Sequence, residues 1–359
     1  MYDPVSSYIL KIRALIDDAL KSLGLTDKAE YSVEYSAISA YGEFSSNVSF
    51  VYSKYADLSP AELSVQISEE IKKDPLFDSV SSSYQGFLNF QMSSNWYMKV
   101  LSDVQNESNY LGTSDIPSGD AVIITLDDPQ TSKTDPYLFR NEAVVLALQS
   151  ILHCKGYNVT RQKSDSLPLF FDKRAIICAP SRYWDSGAIP AELSAVAEHV
   201  VVSECIFRSS DPVWNESLIL SLNEQKPQTP IIVDKNTYSK AVYDYAWICS
   251  LIRSFGQAPA FPAENIAMTP ESSQERLLFK YALLFPSVIS KAADDLDPSA
   301  VFRYLSDVVI NYRLLRDEYG RSEGLAAAKS YSLFWYTSLV KQILKEGLSL
   351  FTEEPYEYL

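Results

Sequence analysis

Histidine, glycine and closely spaced cysteines are scarce in this chain of 359 residues, and each shortage argues against a kind of site. Only two histidines occur, His153 and His199, which leaves little room for a site built on a histidine cluster. The 11 glycines form neither a G-x-G-x-x-G nor a Walker A motif, so the standard phosphate-binding loops are absent. The four cysteines include no C-x-x-C pair, so we expect neither a zinc site nor a disulfide scaffold.

Long apolar runs are also lacking, and the charge is strongly one-sided. No run approaches the roughly 20 residues that span a bilayer, so we expect no membrane partner. Well-separated thiols fit a reducing compartment, so we expect a cytoplasmic protein. The formal net charge of −15 repels nucleic-acid phosphate at long range. Any affinity for RNA must therefore come from local basic or aromatic patches.

Three regions of different hydrophobic periodicity make up the chain. Residues 1–115 combine amphipathic helices with two short strands at 77–84 and 86–92, which predicts an α+β domain. Residues 119–235 begin with a strand–helix–strand unit and continue with short buried strands, which predicts a small Rossmann-like parallel sheet. Residues 236–359 are helical throughout, which predicts an all-α bundle. The expected fold class is a multidomain α/β plus α protein.

Element boundaries follow from periodicity, with glycine as a stop signal and proline as a start signal. The predicted helices lie at 4–23, 60–74, 95–108, 138–155, 239–255, 274–293, 299–317 and 324–350. The predicted strands lie at 31–38, 77–84, 86–92, 121–126, 157–162, 175–179, 200–206 and 230–233, and a turn-rich linker is predicted at 112–119.

Short motifs in all three regions carry a family resemblance. They are Gly42–Val48 with Gly86–Phe90, Arg140–Ala143 with Lys155–Gln162, and Tyr243–Arg253 with Pro298–Leu305 and Lys345–Leu348. In this order they resemble the N-terminal tRNA-contacting domain, the first βαβ unit of the catalytic domain and the DALR anticodon-binding domain of arginyl-tRNA synthetases. The resemblance covers 30–162 and 230–359 well, and 163–229 poorly.

The resemblance implies a class I catalytic centre, and the sequence departs from the family there. The family stabilises the negative charge that develops on the ATP phosphate with the histidines of its HIGH motif and the lysines of its KMSKS loop. Asp135, Pro136, Tyr137 and Leu138 occupy the HIGH position, so both histidines are missing and a carboxylate that repels phosphate is present.

The lysine loop is also altered. It is expected directly after the strand at 200–206, where residues 207–212 contain Arg208 but no lysine. The middle region is short for a full catalytic domain with its insertions. We therefore expect no catalytic residues and no cofactor, and interpret the chain as a pseudo-enzyme of the arginine-tRNA ligase family.

Another candidate for chemistry is a pair of carboxylates at a strand end. Asp127 and Asp128 follow the strand at 121–126, where α/β sheets commonly bind ligands, and could hold magnesium. Capping of the following turn is the interpretation we favour, so no metal site is expected.

The resemblance implies RNA-binding residues in the first region. There the asparagine of the family's G-F-x-N strand faces the tRNA elbow, which corresponds to Asn89. Gln91 lies two residues further along the strand and shares its face, while Phe90 points inward. The alternative is that Asn89 and Gln91 belong to an ordinary polar strand face.

In the helical region the family cradles anticodon bases with a tyrosine on the first helix and with its C-terminal residue. Tyr243 matches that tyrosine, and stacking of unpaired bases on aromatic rings is the physical basis. Leu359 stands where the family usually has methionine and Trp247 stands where it has arginine, so the sequence departs from the family at both positions. The alternative is that Tyr243 belongs to the core.

Two arginines complete the set of candidates. Arg313 and Arg316 are three residues apart on the helix predicted at 299–317, so they are surface neighbours that could contact phosphate. The commoner explanation for such a pair is a solvated helix face.

Three functions remain open from the sequence. The leading hypothesis is a non-catalytic protein that binds tRNA, with tRNA for arginine as the expected species, and serves a tRNA-modifying enzyme or a genuine synthetase. The second is a protein-interaction scaffold without RNA binding, which the acidic charge favours. The third is a residual enzyme that binds ATP or arginine.

Overall fold

The computed structural model groups the chain into two compact units. The first unit is Asp3–Glu107 with Pro259–Leu283, and the second is Met1–Tyr2 with Ser108–Ala258 and Leu284–Leu359. The predicted division into three domains is a different partition and stays a prediction. The residues that the structure describes are 4–26, 29–36, 42–106, 117–125, 136–163, 174–180, 199–203, 237–255, 269–320 and 327–350.

The first unit is an α+β module built on an antiparallel sheet of order β1-β2-β4-β3. The N-terminal part of helix α7 (Ser273–Asp295) also belongs to this unit. Its other elements are α1 (Pro4–Ser22), β1 (Val33–Tyr35), β2 (Phe44–Ser46), α2 (Val48–Ala56), α3 (Pro60–Ile71), β3 (Phe77–Ser82), β4 (Leu88–Met92) and α4 (Ser94–Asn106).

Local sequence signals explain how the helices of this unit begin and which face they bury. Helix α3 starts with a capping box, in which Ser59 and Glu62 bond reciprocally, and with Pro60 at its first turn. On α1, Ile12 and Ile16 are four residues apart and fully buried, as expected for one apolar face.

Aromatic rings fill much of the core of the first unit. Trp96 packs edge-on against Phe44, with ring centroids 6.1 Å apart. Phe279, from α7, lies 5.2 Å from Trp96 and 4.8 Å from Tyr97. Edge-to-face geometry suits the quadrupoles of these rings and adds to the gain from burial.

The second unit contains a parallel sheet of order β6-β5-β7-β8 and a group of helices. The strand order places β5 and β7 at the centre of the sheet, and α5 connects the parallel pair β5 and β6. The sheet elements are β5 (Gly119–Thr125), α5 (Pro136–Cys154), β6 (Tyr157–Lys163), β7 (Arg174–Pro180) and β8 (His199–Ser203). The helices are α6 (Thr237–Ser254), α7 (Ser273–Asp295), of which the part from Leu284 lies in this unit, α8 (Ser299–Gly320) and α9 (Ala327–Ser349).

Close packing joins α8 and α9 in this helical region. The buried hydroxyls of Tyr312 and Thr337 share a hydrogen bond of 2.7 Å. Gly347 lets the helices approach, because a Cβ atom there would lie 2.7 Å from the side chain of Leu305.

These elements confirm the expected fold class: an α+β module, a small parallel sheet and a helical C-terminal region. The strand predicted at 31–38 is wrong in extent over the described residues 31–36, of which only Val33–Tyr35 form β1. The predicted strand at 230–233 and most of the linker at 112–119 lie outside the described residues. Within the described part of the chain, no helix is long and apolar enough to cross a membrane.

Helix α2 is missing from the sequence prediction, and its sequence explains why. Asn47 precedes it but does not cap it, because its side-chain oxygen accepts a hydrogen bond from the backbone of Ser32 instead. Its buried face combines Val48 and Tyr52 with the small polar Ser49, which weakens the apolar periodicity.

Candidate functional site

Strand β4 separates an apolar face from a polar face in the first unit. Leu88, Phe90 and Met92 are fully buried on the inner face. Asn89 and Gln91 alternate with them on the other face, the geometry expected of a strand. Asn89 is only 8% exposed, so it is nearly enclosed by its neighbours and does not lie on an open surface.

Strand pairing places Asn89 in the middle of a polar row. Ser45 of β2 lies opposite it on one side and Ser81 of β3 on the other. The row forms part of a cleft of about 790 Å³ that Asn89 lines and Gln91 does not. The serines were not identified from the sequence, because only the register of three strands brings them together. The lining residues are Glu34, Tyr35, Ser36, Ser45, Ser81, Ser82, Ser83, Tyr84, Gln85, Phe87 and Asn89.

The turn between β3 and β4 presents aromatic rings at this cleft. Tyr84 is 99% exposed, and Phe87 packs against Phe50 with ring centroids 4.9 Å apart. Gly86 has φ +96°, and a Cβ atom there would come within 2.7 Å of Pro60, so glycine fixes the turn against α3.

The chemistry of the cleft suits a neutral polar group with a flat face. Glu34 is the one charged side chain among the described lining residues, and no cation faces the cleft from that set. Hydroxyls and amides can donate and accept hydrogen bonds, and exposed aromatic rings can stack on a base. The cleft is therefore suited to a nucleobase or ribose rather than to phosphate.

A second candidate surface, which we name the α6–α8 surface, consists of Tyr243, Trp247, Arg313 and Arg316. Tyr243 and Trp247 lie four residues apart on one face of α6, and Tyr243 is 54% exposed, so it is not a core residue. Trp247 is half-buried and contacts the ring of Tyr312 edge-on at 6.1 Å.

Both arginines of α8 lie over the indole ring of Trp247. The Cζ atoms of Arg313 and Arg316 are 5.2 Å and 5.0 Å from its centroid, within the range of cation–π attraction. Arg313 and Arg316 therefore do not simply form a solvent-exposed helix face, because both contact the Trp247 ring. Trp247 thus stands beside two guanidinium groups supplied by another helix.

A buried carboxylate distinguishes the two arginines. The Asp244 side chain is 2% exposed and accepts a hydrogen bond of 2.5 Å from Arg313, which is 48% exposed. Among the described residues Arg316 has no carboxylate partner. Within the α6–α8 surface, one positive charge is thus compensated by Asp244 and one is not.

Replacing Arg313 with alanine is expected to lower the free energy of unfolding by about 1 to 2 kcal/mol, because the buried Asp244 carboxylate loses a charged donor. The half-exposed guanidinium keeps the figure modest. Denaturant unfolding of the full chain measures it, with Arg316→Ala as the matched control, expected to change by less than about 0.5 kcal/mol. Equal losses in both variants would contradict a structural role for Arg313.

The structure describes little of the predicted catalytic positions. Pro136, Tyr137 and Leu138 form the first turn of α5, the helix that follows β5. Burial raises the pKa of the Cys154 thiol to about 11, which argues against a reactive nucleophile there. In the described ranges no group of three or more His, Cys, Asp or Glu side chains is placed to hold a metal ion. Predicted residues that lie outside those ranges are Asp127, Asp128, Asp135, Arg208 and Leu359.

Two parts of the chain match known domain families. Residues 10–92 match the arginyl tRNA synthetase N terminal domain, and residues 241–315 match the DALR anticodon binding domain. The first match contains Asn89 and the cleft. The second contains Tyr243, Trp247 and Arg313 and ends one residue before Arg316.

Curated relatives agree with these two domain matches. The chain is 33% identical over 156 residues to the arginine–tRNA ligase of Mycoplasmoides gallisepticum and 26% identical over 153 residues to that of Prosthecochloris aestuarii. Each alignment covers 42% of this chain but only 28% and 27% of the relative. The chain thus spans about a quarter of the length of the curated relatives that it matches.

The fold is similar to those of solved arginyl-tRNA synthetases. The Plasmodium falciparum enzyme superposes with a TM-score of 0.61 at 11% identity, covering all of both chains. The Thermus thermophilus enzyme gives 0.55 at 10% identity, covering 98% of this chain and all of that one. At such low identity the likeness concerns the fold alone.

Proposed function

Because this chain is an arginyl-tRNA synthetase-like protein with a DALR anticodon-binding domain, we propose that it binds tRNA, with tRNA for arginine as the expected species. The observation that carries the proposal is the α6–α8 surface, where an exposed tyrosine lies one helical turn from an indole covered by two guanidinium groups. Unpaired bases stack on such rings, and guanidinium groups bind phosphate.

The cleft in the first unit supports the same proposal with different chemistry. Its neutral hydroxyls and amides and its exposed Tyr84 suit a base or ribose that projects from an RNA elbow. Asn89 is the residue we expect to read that group, because it lies in the centre of the polar row. Gln91, which is outside the cleft lining, is expected to contribute less.

We further propose that the chain does not charge tRNA and serves as an adaptor or cofactor of another enzyme, either a tRNA-modifying enzyme or a genuine synthetase. The support is the sequence at the HIGH position, Asp135 to Leu138, and the lack of lysine in 207–212. An anion beside the reacting phosphate would oppose the charge that must be stabilised.

Replacement of Tyr243 by alanine is expected to weaken tRNA binding about 10- to 100-fold, the value of one lost base-stacking contact. The purified chain is titrated with total tRNA at two salt concentrations, and bound tRNA is sequenced. Wild-type binding should weaken as salt rises, and arginine tRNAs should be enriched. Tyr55→Ala, which removes a tyrosine of similar exposure on α2, is the matched control and should bind as the wild type does.

Absence of tRNA binding at both salt concentrations would overturn the proposed function. The net charge of −15 would then favour the second candidate, a protein-interaction scaffold without RNA binding. Equal binding by Tyr243→Ala and wild type would instead leave tRNA binding intact and remove Tyr243 from the contact.

A further inference from the structure

Resting on the proposed function, we propose that Arg316 is the residue through which the second unit contacts RNA phosphate, while Arg313 positions the surface without offering a free charge. The DALR match ends at residue 315, one residue before Arg316. Arg313 and Arg316 are equivalent in the sequence pattern, but the structure gives their side chains different surroundings.

Charge compensation is the first difference between them. Arg313 is bonded at 2.5 Å to the buried carboxylate of Asp244, which offsets its charge towards any approaching anion. Arg316 has no carboxylate partner among the described residues. In a chain with net charge −15, an uncompensated cation is where a phosphate meets the least repulsion.

Preorganisation is the second difference. A guanidinium group that stacks on an aromatic ring keeps its in-plane N–H donors directed outward, so it can still form two parallel bonds to a phosphate. The Cζ atom of Arg316 lies 5.0 Å from the centroid of Trp247, which restricts the side chain before RNA arrives. Less side-chain freedom is therefore lost when the contact forms.

The neighbouring Tyr243 gives the site its preference for unpaired RNA. It is exposed on the same face of α6 as Trp247, one turn earlier. When an RNA base stacks on Tyr243, the phosphate next to that base lies within a few ångströms of the ring. One helical turn of about 5.4 Å separates Tyr243 from Trp247 along α6, so this phosphate is close enough to reach the guanidinium group over Trp247. The partner chemistry is thus a single-stranded RNA loop rather than a duplex, whose bases are stacked internally.

The test is a salt titration of tRNA binding with the full chain. Arg316→Ala is expected to weaken binding about tenfold at moderate salt and to reduce the slope of log affinity against log salt by about 0.7, the value for one phosphate on a single strand. Arg316→Lys should keep the wild-type slope but recover only part of the affinity, because an ammonium lacks the planar fork. Lys291→Ala, which removes an exposed cation from α7, is the matched control and should leave both quantities unchanged.

Two failures are distinguishable in this experiment. If the wild type binds tRNA and Arg316→Ala shows the same affinity and slope as Lys291→Ala, the role of Arg316 is overturned and the proposed function stands. If the wild type binds no tRNA, the proposed function itself is overturned, and this inference with it.

Discussion

Replacing Glu43 with alanine is expected to lower the free energy of unfolding by about 2 to 4 kcal/mol, because two buried donors lose their acceptor. The Glu43 carboxylate is 7% exposed and accepts hydrogen bonds from the Met92 backbone amide at 2.8 Å and from the Tyr97 hydroxyl. Burial, and then the charge of Glu43, raise the pKa of Tyr97 well above its usual range, so the hydroxyl keeps the proton that it donates.

The backbone around Glu43 adds to this effect. Its amide donates to the Phe90 carbonyl at 2.9 Å, which ties β2 to β4 beside the carboxylate. Gly42, just before it, has φ +83°, and a Cβ atom there would lie 2.4 Å from the same carbonyl oxygen. The close approach of the two strands therefore requires glycine at position 42, and the two buried donors explain the carboxylate at position 43. Both give a structural reason for this part of the motif.

Denaturant unfolding and amide exchange of the full chain test the prediction together. The exchange of the Met92 amide is the local measurement, because that N–H loses its acceptor in Glu43→Ala and should exchange faster. Glu34→Ala, which removes an exposed carboxylate from β1, is the matched control and should change stability by less than about 0.5 kcal/mol. A Glu43→Ala variant as stable as Glu34→Ala would refute the role of this carboxylate.

Hydrophobic periodicity accounts for most of the fold that could be predicted. Helices such as α1 and α8 and strands such as β4 and β5 were expected within a few residues of their observed bounds, because each buries one face or one continuous run. Helix α2 is absent from the sequence prediction because the Asn47 side chain accepts a hydrogen bond from the Ser32 amide instead of capping its own helix. A hydrogen bond between residues 15 positions apart takes the place of the N-cap, which is the local sign of a helix start.

The candidate sites show the same limit more clearly. The sequence identifies four residues of the α6–α8 surface one by one, namely Tyr243, Trp247, Arg313 and Arg316. The position of both arginines over one indole ring depends on how α6 and α8 pack. Arg313 and Asp244 are 69 residues apart, so no local sequence pattern predicts their ion pair. The serine row around Asn89 likewise needs three strands in register. The sequence therefore predicts which residue types form the two candidate sites. It does not predict that Asp244 compensates the charge of Arg313, or that the serines and Asn89 line one cleft.

We expect the chain to form arginyl-tRNA more than about a thousandfold more slowly than an active arginyl-tRNA synthetase, since loss of a single group that stabilises transition-state charge commonly costs a hundredfold to a thousandfold. The expectation rests on our assignment of residues 135–138 to the HIGH position, where the sequence has no histidine and Asp135 carries a carboxylate, and on the lack of lysine in 207–212. The measurement is the formation of arginyl-tRNA from labelled arginine, ATP and the tRNA that the chain captures.

The design must separate lost chemistry from lost binding. An active arginyl-tRNA synthetase assayed on the same tRNA shows that the substrate is chargeable, and the binding titration shows whether the chain is saturated with it. Saturated but uncharged tRNA supports an adaptor, and Tyr243→Ala should then release the tRNA without changing the absence of charging. Charging by the wild-type chain at a rate near that of the active enzyme would refute the pseudo-enzyme hypothesis, because residues other than the family's histidines and lysines would have to stabilise the reacting phosphate.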